Sequence, residues 1–175
     1  MWQPLRVNRD VALLHPAFRQ ALGKVLTVLT TEQIPFRLFE AFRYPERQAA
    51  LYAQGRTAQG KIVTRAPPWR SYHQFGLGAD LVLYENSAWN WDTSDHRAAW
   101  WNRMQVLGRA EGLEALSFER PHLQLSGLSI NDLAEGAYPA KGDDDWAEHL
   151  AAVIAGWKSD PPAPKPPTIF DRPPL

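Results

Sequence analysis

Two short polar motifs, far apart in the sequence, constrain the fold of this chain more than any other feature. The first supplies His73 and Asp80, and the second supplies Glu119 and His122. Two histidines and one aspartate are the ligand set of a hydrolytic zinc site, whose fourth position stays open for water. Glu119 precedes the second histidine by three residues, where a general base would lie. The sequence therefore predicts a fold that brings both motifs to one metal ion.

Composition narrows the possible classes of protein. At 175 residues the chain fits one domain with a substantial core. It contains no cysteine, so disulfides and thiolate ligands are excluded, and zinc must be held by nitrogen and oxygen. The formal net charge is zero, and no apolar run approaches the roughly 18 residues of a membrane span. We expect a monomer with no nucleic-acid partner and no membrane insertion.

The hydrophobic pattern predicts helices and short strands without a regular alternation. Helices are predicted through residues 18–29, from Pro45 to before Gly55, from Ser94 to before Gly112, after Ser129, and from Asp143 to Trp157. Strands are predicted at residues 36–42, 79–84, 113–118 and 122–125. This mixture predicts an α+β fold with a small sheet.

The composition changes at about residue 159. Seven prolines follow within the last 17 residues, which favours an extended or disordered tail outside the core. We therefore predict a catalytic domain at residues 1–158 and a proline-rich tail at residues 159–175. A ligand role for the tail, of the PxxP type, is the alternative.

Further polar residues are candidates for catalysis and substrate binding. Arg43 follows a predicted strand and could stabilise a developing oxyanion; its alternative role is a surface ion pair. Glu119 could take a proton from water, or it could be an exposed carboxylate at a strand end. Ser71 and Gln124 are candidate substrate-binding residues. The alternatives are that Ser71 caps a turn and that Gln124 orients a metal ligand from behind.

Several aromatic residues and histidines remain outside this set. Three aromatic residues are candidates for the walls of a cleft, with core packing equally open: Trp69, Tyr72 and Trp89. Three histidines are predicted to be structural or surface residues: His15, His96 and His149.

The motifs resemble those of a known family. Residues 71–80 resemble the S-x-H-x-x-G-x-A-x-D signature of the VanY-type D-alanyl-D-alanine carboxypeptidase family of zinc peptidases, and residues 119–122 resemble its second signature. Residues 42–57, FRYPERQAALYAQGRT, look like the branch that contains phage L-alanyl-D-glutamate endolysins, and residues 60–66 also fit that branch. The similarity covers roughly residues 36–125.

The resemblance implies a site, a fold and a substrate. His73, Asp80 and His122 would hold one Zn²⁺ ion. Glu119 would be the catalytic base, and Arg43 would polarise the scissile carbonyl. The implied fold is a small antiparallel sheet with flanking helices, shared by D-Ala-D-Ala peptidases and the hedgehog signalling domain. The implied substrate is the stem peptide of bacterial peptidoglycan.

Some positions depart from the family pattern. Gly78 replaces the usual alanine, and Glu119 stands where many endolysins of this branch carry aspartate. Tyr44 and Pro45 replace the usual residue after the arginine. None of these changes removes a predicted metal ligand, so they bear on which bond is cut rather than on the chemistry.

Our leading hypothesis is a zinc metallopeptidase that hydrolyses the L-alanyl-D-glutamate bond of the stem peptide as an endolysin. The enzymatic alternative is a D,D- or L,D-carboxypeptidase, and the other alternative is a non-catalytic zinc-binding module of the same fold. Residues 1–6 lack the charged start and apolar region of a signal peptide. We therefore expect a phage-type lysin that stays in the cytoplasm until a membrane pore releases it to the cell wall.

Overall fold

A five-stranded antiparallel sheet organises the computed structural model, which describes residues 5–168. Its strands are β1 (Phe36–Glu40), β2 (Gly78–Glu85), β3 (Ala88–Asn90), β4 (Leu113–Ala115) and β5 (His122–Leu125). The strand order is β1-β2-β5-β4, and β3 forms a hairpin with β2. The helices are α1 (Pro16–Thr31), α2 (Pro45–Ala53), α3 (Asp95–Ala110), α4 (Ile130–Ala134) and α5 (Asp144–Gly156). The predicted α+β fold, a small antiparallel sheet with flanking helices, is confirmed.

The two faces of the sheet have different environments. Successive residues of a strand point to opposite faces, so Ala79, Leu81 and Leu83 of β2 lie on one face and Asp80 lies on the other. The first face packs in a buried core against α1 and α3, which contribute Phe18 and Trp101 among others. A second core joins α2, α4 and α5 beyond the end of the sheet. Around Asp80 the second face carries polar side chains, including His122 of the neighbouring strand β5.

The predicted helices form, whereas two predicted strands are shorter than expected. β1 ends at Glu40 rather than at residue 42, because the next N–H donates to the carbonyl of Asn8 outside the sheet. β4 ends at Ala115 rather than at residue 118, where the chain turns toward β5. The hairpin strand β3 was not predicted. Its turn consists of Asn86 and Ser87, both with positive φ, a turn that matches the twist of paired strands.

Part of the proline-rich segment packs against the domain. The Trp157 indole N–H donates to the carbonyl of Pro161 at 2.8 Å, and the Tyr138 hydroxyl donates to the carbonyl of Lys165 at 2.5 Å. Pro164 and Pro167 are buried. Extended proline segments have no internal hydrogen bonds, so their carbonyls are free for such donors. Residues 159–168 therefore pack against the domain; residues 169–175 lie outside the described residues, and the boundary at residue 158 stays a prediction.

Within residues 5–168, no helix combines the length and the apolar character that crossing a bilayer requires.

Candidate metal centre

The fold brings together the three side chains that were predicted as metal ligands. His73 lies in a short 3-10 helix (Tyr72–Phe75), and Asp80 of β2 pairs directly with His122 of β5. His73 Nε2 and Asp80 Oδ1 are 3.2 Å apart, and His122 Nδ1 and Asp80 Oδ1 are 3.3 Å apart. The two histidine nitrogens are separated by 3.2 Å. Three potential ligand atoms thus form a nearly equilateral triangle of buried groups.

Hydrogen bonds outside the triangle fix which ring nitrogens face it. His73 Nδ1 lies 2.7 Å from the carbonyl oxygen of Ala41, which can only accept, so this nitrogen carries the ring proton. His122 Nε2 lies 3.0 Å from Gln124 Oε1, and the Gln124 amide donates to Glu114 at 2.9 Å. Since the Glu114 carboxylate takes the amide N–H, the amide oxygen must face His122. Both rings therefore carry their protons on the outer side and direct a lone pair inward.

This arrangement fits a small divalent cation. Two imidazole lone pairs and a carboxylate oxygen face one another within 3.3 Å, so they need positive charge between them. Tetrahedral zinc, with bonds of about 2.0–2.1 Å, separates neighbouring ligand atoms by about 3.3 Å. Burial lowers the pKa of His122, but the hydrogen bond and the charge of Asp80 raise it above its ordinary value. His73, Asp80 and His122 thus form a group that can bind a metal.

A buried ion cluster supports Asp80 from the other side. Arg43 Nη2 donates to Asp80 Oδ2 at 3.0 Å and to Glu40 Oε2 at 2.7 Å, and Arg43 Nε also donates to Glu40. Arg47 Nε donates to the second oxygen of Glu40 at 2.5 Å. Burial would raise the pKa of Asp80, but the two histidines and Arg43 hold it well below its usual range. The carboxylate of Asp80 is therefore ionised, with one oxygen on Arg43 and the other in the triangle.

Arg43 has little donor capacity left for a substrate. Its Nη1 donates to Gln48 Oε1 at 3.1 Å, and both Nη2 protons are used by Glu40 and Asp80. A guanidinium has five N–H donors. One N–H on Nη1 thus has no acceptor among the described residues. Arg43 is 8% exposed, so it is a buried organiser of Asp80 rather than half of the surface ion pair considered as an alternative.

Glu119 lies at the rim of the centre. It is an exposed residue of the turn before β5, and its carbonyl accepts the His122 N–H at 3.0 Å. Burial opposes the charged forms of His122 and Arg43, but the Glu119 carboxylate is among the charges that raise the pKa of both groups. The structure therefore places this negative charge close to the triangle and accessible to solvent.

The remaining candidates lie in several different environments. Ser71 occupies the N-cap of the 3-10 helix, where its N–H donates to Gln74 Oε1 at 3.2 Å. Gln124 is buried with both ends of its amide engaged, the geometry of a residue that orients a ligand. Trp69 belongs to the second core. Tyr72 donates to the carbonyl of Leu128, and Trp89 of β3 pairs with Tyr84 on the same sheet face as Asp80.

The three other histidines take no part in the centre. His15 caps the start of α1 and lies edge-on to Trp146. His149 lies against Phe42 and Tyr44, and His96 lies against a tryptophan of α3.

Three polar residues of the site were not singled out in the sequence: Glu40, Gln48 and Glu114. Glu40 carries a local signal, since it interrupts an apolar run three residues before Arg43, and Gln48 lies within the segment 42–57 that resembles the endolysin branch. Glu114 carries no such signal, because its contact with Gln124 depends on the pairing of β4 and β5. Gly78 has a similar dependence on the fold, because a Cβ at this position would lie 3.0 Å from His122 Cε1.

Comparison with known proteins identifies the family. The chain matches the family described as VanY, D-alanyl-D-alanine carboxypeptidase, over residues 11–132. It is 30% identical over 121 residues to the peptidoglycan L-alanyl-D-glutamate endopeptidase CwlK of Bacillus subtilis. The aligned stretch covers 65% of this chain and 72% of that relative.

Two solved structures are also similar. The first is the L,D-carboxypeptidase DacB from Streptococcus pneumoniae, with a TM-score of 0.49 and 21% identity over 73% of this chain and 74% of that one. The second is the Serratia marcescens L-Ala D-Glu endopeptidase ChiX, with a TM-score of 0.48 and 19% identity over 71% of this chain and 89% of that one. The family match over residues 11–132 and the 30% identity to the Bacillus protein together show that the chain belongs to the VanY D-alanyl-D-alanine carboxypeptidase family.

Proposed function

We propose that this protein is a zinc-dependent peptidase that hydrolyses the L-alanyl-D-glutamate bond of peptidoglycan stem peptides. The observation that carries this proposal is the buried triangle of His73 Nε2, Asp80 Oδ1 and His122 Nδ1, with separations of 3.2–3.3 Å and both ring protons directed outward. The choice of bond is supported by the activity of the Bacillus relative, an L-alanyl-D-glutamate endopeptidase. The proposed place of action is the cell wall, reached after release from the cytoplasm.

The three ligands would hold one zinc ion by nitrogen and oxygen alone, which suits zinc. When bound, zinc supplies a Lewis acid that polarises a carbonyl and acidifies water. The side chains then divide the remaining tasks. Glu119, exposed at the rim, takes a proton from the attacking water and delivers it to the leaving amine. Arg43 fixes the orientation of Asp80 and offers its remaining Nη1 N–H to the oxygen of the scissile carbonyl.

Two further residues have proposed supporting roles. Gln124 holds the His122 ring in one tautomer rather than contacting substrate, since both ends of its amide are engaged. The Ser71 hydroxyl, at the half-buried start of the 3-10 helix that carries His73, is proposed to contact the substrate peptide.

A carboxypeptidase acting on the terminal D-alanine is the second candidate, and the family description favours it. A non-catalytic metal module is the third. Glu119 argues against the third, because a purely structural zinc has no use for an exposed carboxylate at its rim. The metal triangle is compatible with both peptidase reactions, so the bond has to be read from the products.

Mass spectrometry of digested peptidoglycan reads the cleaved bond directly. Purified peptidoglycan is incubated with the zinc-loaded protein, and the released fragments are analysed. The proposal predicts fragments with a new amino-terminal glutamate and sugars that retain L-alanine. Loss of a terminal D-alanine alone would replace the proposed endopeptidase by the carboxypeptidase.

The variant Glu119→Gln tests the proposed base. We expect a folded protein that binds one zinc and hydrolyses peptidoglycan about 10²–10⁴-fold more slowly. The matched control is Glu135→Gln, an exposed carboxylate paired with Lys165, which should leave the rate unchanged. Full activity of Glu119→Gln would remove Glu119 from the mechanism, and full activity of a demonstrably metal-free protein would remove the whole scheme.

A further inference from the structure

Three aromatic rings and an arginine form a surface cluster that the proposed chemistry does not use. The Phe39 ring lies edge-on to Trp89 at 5.1 Å and to Trp91 at 4.9 Å between ring centroids. The Arg9 guanidinium lies over two of these rings, 5.1 Å from Trp89 and 5.6 Å from Phe39. We call these four residues the aromatic platform.

The platform lies on the same face of the sheet as the metal triangle. Trp89 pairs with Tyr84, whereas His122 pairs with Asp80. Tyr84 and Asp80 are four residues apart in β2, so their side chains point to the same face, about 13 Å apart along the strand. Val82 points to this face between them and is fully buried. The platform and the triangle therefore share one face of the sheet, with the buried Val82 of the first core between them.

The platform combines exposed and half-buried side chains. Trp91 is 50% exposed and Arg9 is exposed, whereas Phe39 and Trp89 are half-buried and pack against the first core. A second pair of an arginine and an aromatic ring lies beside the platform: the Arg37 guanidinium is 4.0 Å from the centre of the Tyr84 ring. A contiguous exposed apolar patch on a soluble protein often marks a binding site.

We propose that the aromatic platform binds the glycan strand of peptidoglycan while the stem peptide lies at the metal triangle. Pyranose rings present flat C–H faces that stack on aromatic rings, and their hydroxyl and acetamido oxygens accept hydrogen bonds from arginine. The Arg9 guanidinium and the exposed ring of Trp91 supply both kinds of contact.

This inference deepens the proposed function and rests on it for the substrate. The stem peptide is attached to the sugar through its L-alanine, so the L-alanyl-D-glutamate bond lies only about two residue lengths, roughly 7 Å, from the glycan. The platform, about 13 Å along β2 from Asp80, is within reach of the attached disaccharide. If the cleaved bond were at the far end of the stem, the glycan would lie several residues further from the metal triangle. The position of the platform thus matches cleavage next to the sugar.

Binding is tested with soluble glycan strands that carry no peptide, titrated calorimetrically into the zinc-loaded protein. The double variant Arg9→Ala, Trp91→Ala should weaken binding at least 10-fold. Its matched control is Val106→Ala, Arg109→Ala, which removes an exposed apolar residue and an exposed arginine from α3 on the opposite face, and which should bind as the wild type does. Unchanged melting temperature and zinc content in both variants verify that the fold is intact.

Catalysis separates this proposal from the proposed function. On intact peptidoglycan, the platform variant should be at least 10-fold slower than the wild type, while both should cleave a soluble, sugar-free stem peptide equally. A wild-type protein that binds glycan but cleaves neither substrate would sink the proposed function and leave glycan binding standing. A platform variant that binds glycan and cleaves intact peptidoglycan at the wild-type level would overturn this proposal. Binding that depends on Arg9 alone and disappears in salt would also overturn it, in favour of an acidic polymer.

Discussion

The substitution Glu40→Gln tests whether the buried ion cluster holds the metal centre in place. Glu40 is 1% exposed, and its two oxygens accept hydrogen bonds from Arg43 and from Arg47. Burial raises the pKa of Glu40, but the two arginines lower it by more, so the group is ionised in the folded protein. Glutamine keeps the shape of the side chain and removes its charge.

The expected cost follows from the burial of the cluster. Removing one partner of a buried ion pair costs about 3–5 kcal/mol of stability, because the other charge is left uncompensated. Glutamine retains one oxygen as an acceptor and Asp80 still partners Arg43, so we expect the lower end, about 3 kcal/mol. Arg43 would then be left with Asp80 as its one carboxylate partner. We expect metal affinity to fall by about 10–100-fold, as for other residues that orient metal ligands.

Urea unfolding of the metal-free protein measures the first effect, and competition with a zinc chelator measures the second. The matched control is again Glu135→Gln, whose partner Lys165 is 68% exposed and whose own side chain is 76% exposed. An exposed pair contributes about 0–1 kcal/mol, so this control should change neither quantity appreciably. The role of the cluster is refuted if Glu40→Gln lowers the free energy of unfolding by less than about 1 kcal/mol, as an exposed pair would, and binds zinc as tightly as the wild type does.

Two further substitutions test single contacts. Gly78→Ala should weaken zinc binding in the chelator assay, because the new Cβ would lie 3.0 Å from His122 Cε1 and 3.1 Å from the backbone nitrogen of His73. Unchanged affinity would show that the His122 ring can move aside. His15→Asn should flatten the dependence of stability on pH. Burial lowers the pKa of His15 more than the Pro139 backbone and the Asp143 charge raise it. The unfolded chain therefore takes up a proton below about pH 6.5 while the folded state does not, and stability falls as the pH drops. Asparagine can still cap α1, so urea unfolding at pH 5 and pH 7 measures the effect of the His15 proton alone. If the wild type and His15→Asn lose the same free energy of unfolding between pH 7 and pH 5, the assignment is contradicted.

The sequence predicted the metal triangle because its residues carry their chemistry in their identity and spacing. His73, Asp80 and His122 were the residues whose types match a metal ligand set, and the structure places them together. Glu114 could not be found in this way. Its contact with Gln124 exists because β4 and β5 pair in one register, and a shift of one residue would turn its side chain to the opposite face.

The same distinction applies to the fold. The helices were predictable because apolar spacing, caps and stop residues are local signals, as at Asp143, whose carboxylate accepts the Trp146 N–H at the start of α5. The contacts of the proline-rich segment were not predictable, because they depend on donors elsewhere in the chain. A proline-rich composition indicates that the backbone carbonyls have no partner within the segment. It does not indicate that the Trp157 indole and the Tyr138 hydroxyl donate to two of them.

The departure from the family pattern at Gly78 follows from the way His122 faces the metal triangle. His122 directs Nδ1 inward, since its Nε2 proton is held by Gln124. Nδ1 is the ring nitrogen nearer to the backbone, so the ring must lie close over the sheet. Gly78 pairs with Gln124 across β2 and β5, and a Cβ there would meet the Cε1 edge of that ring. In this chain, glycine leaves the space in which the ring rests, so the change from alanine is part of how the centre is built.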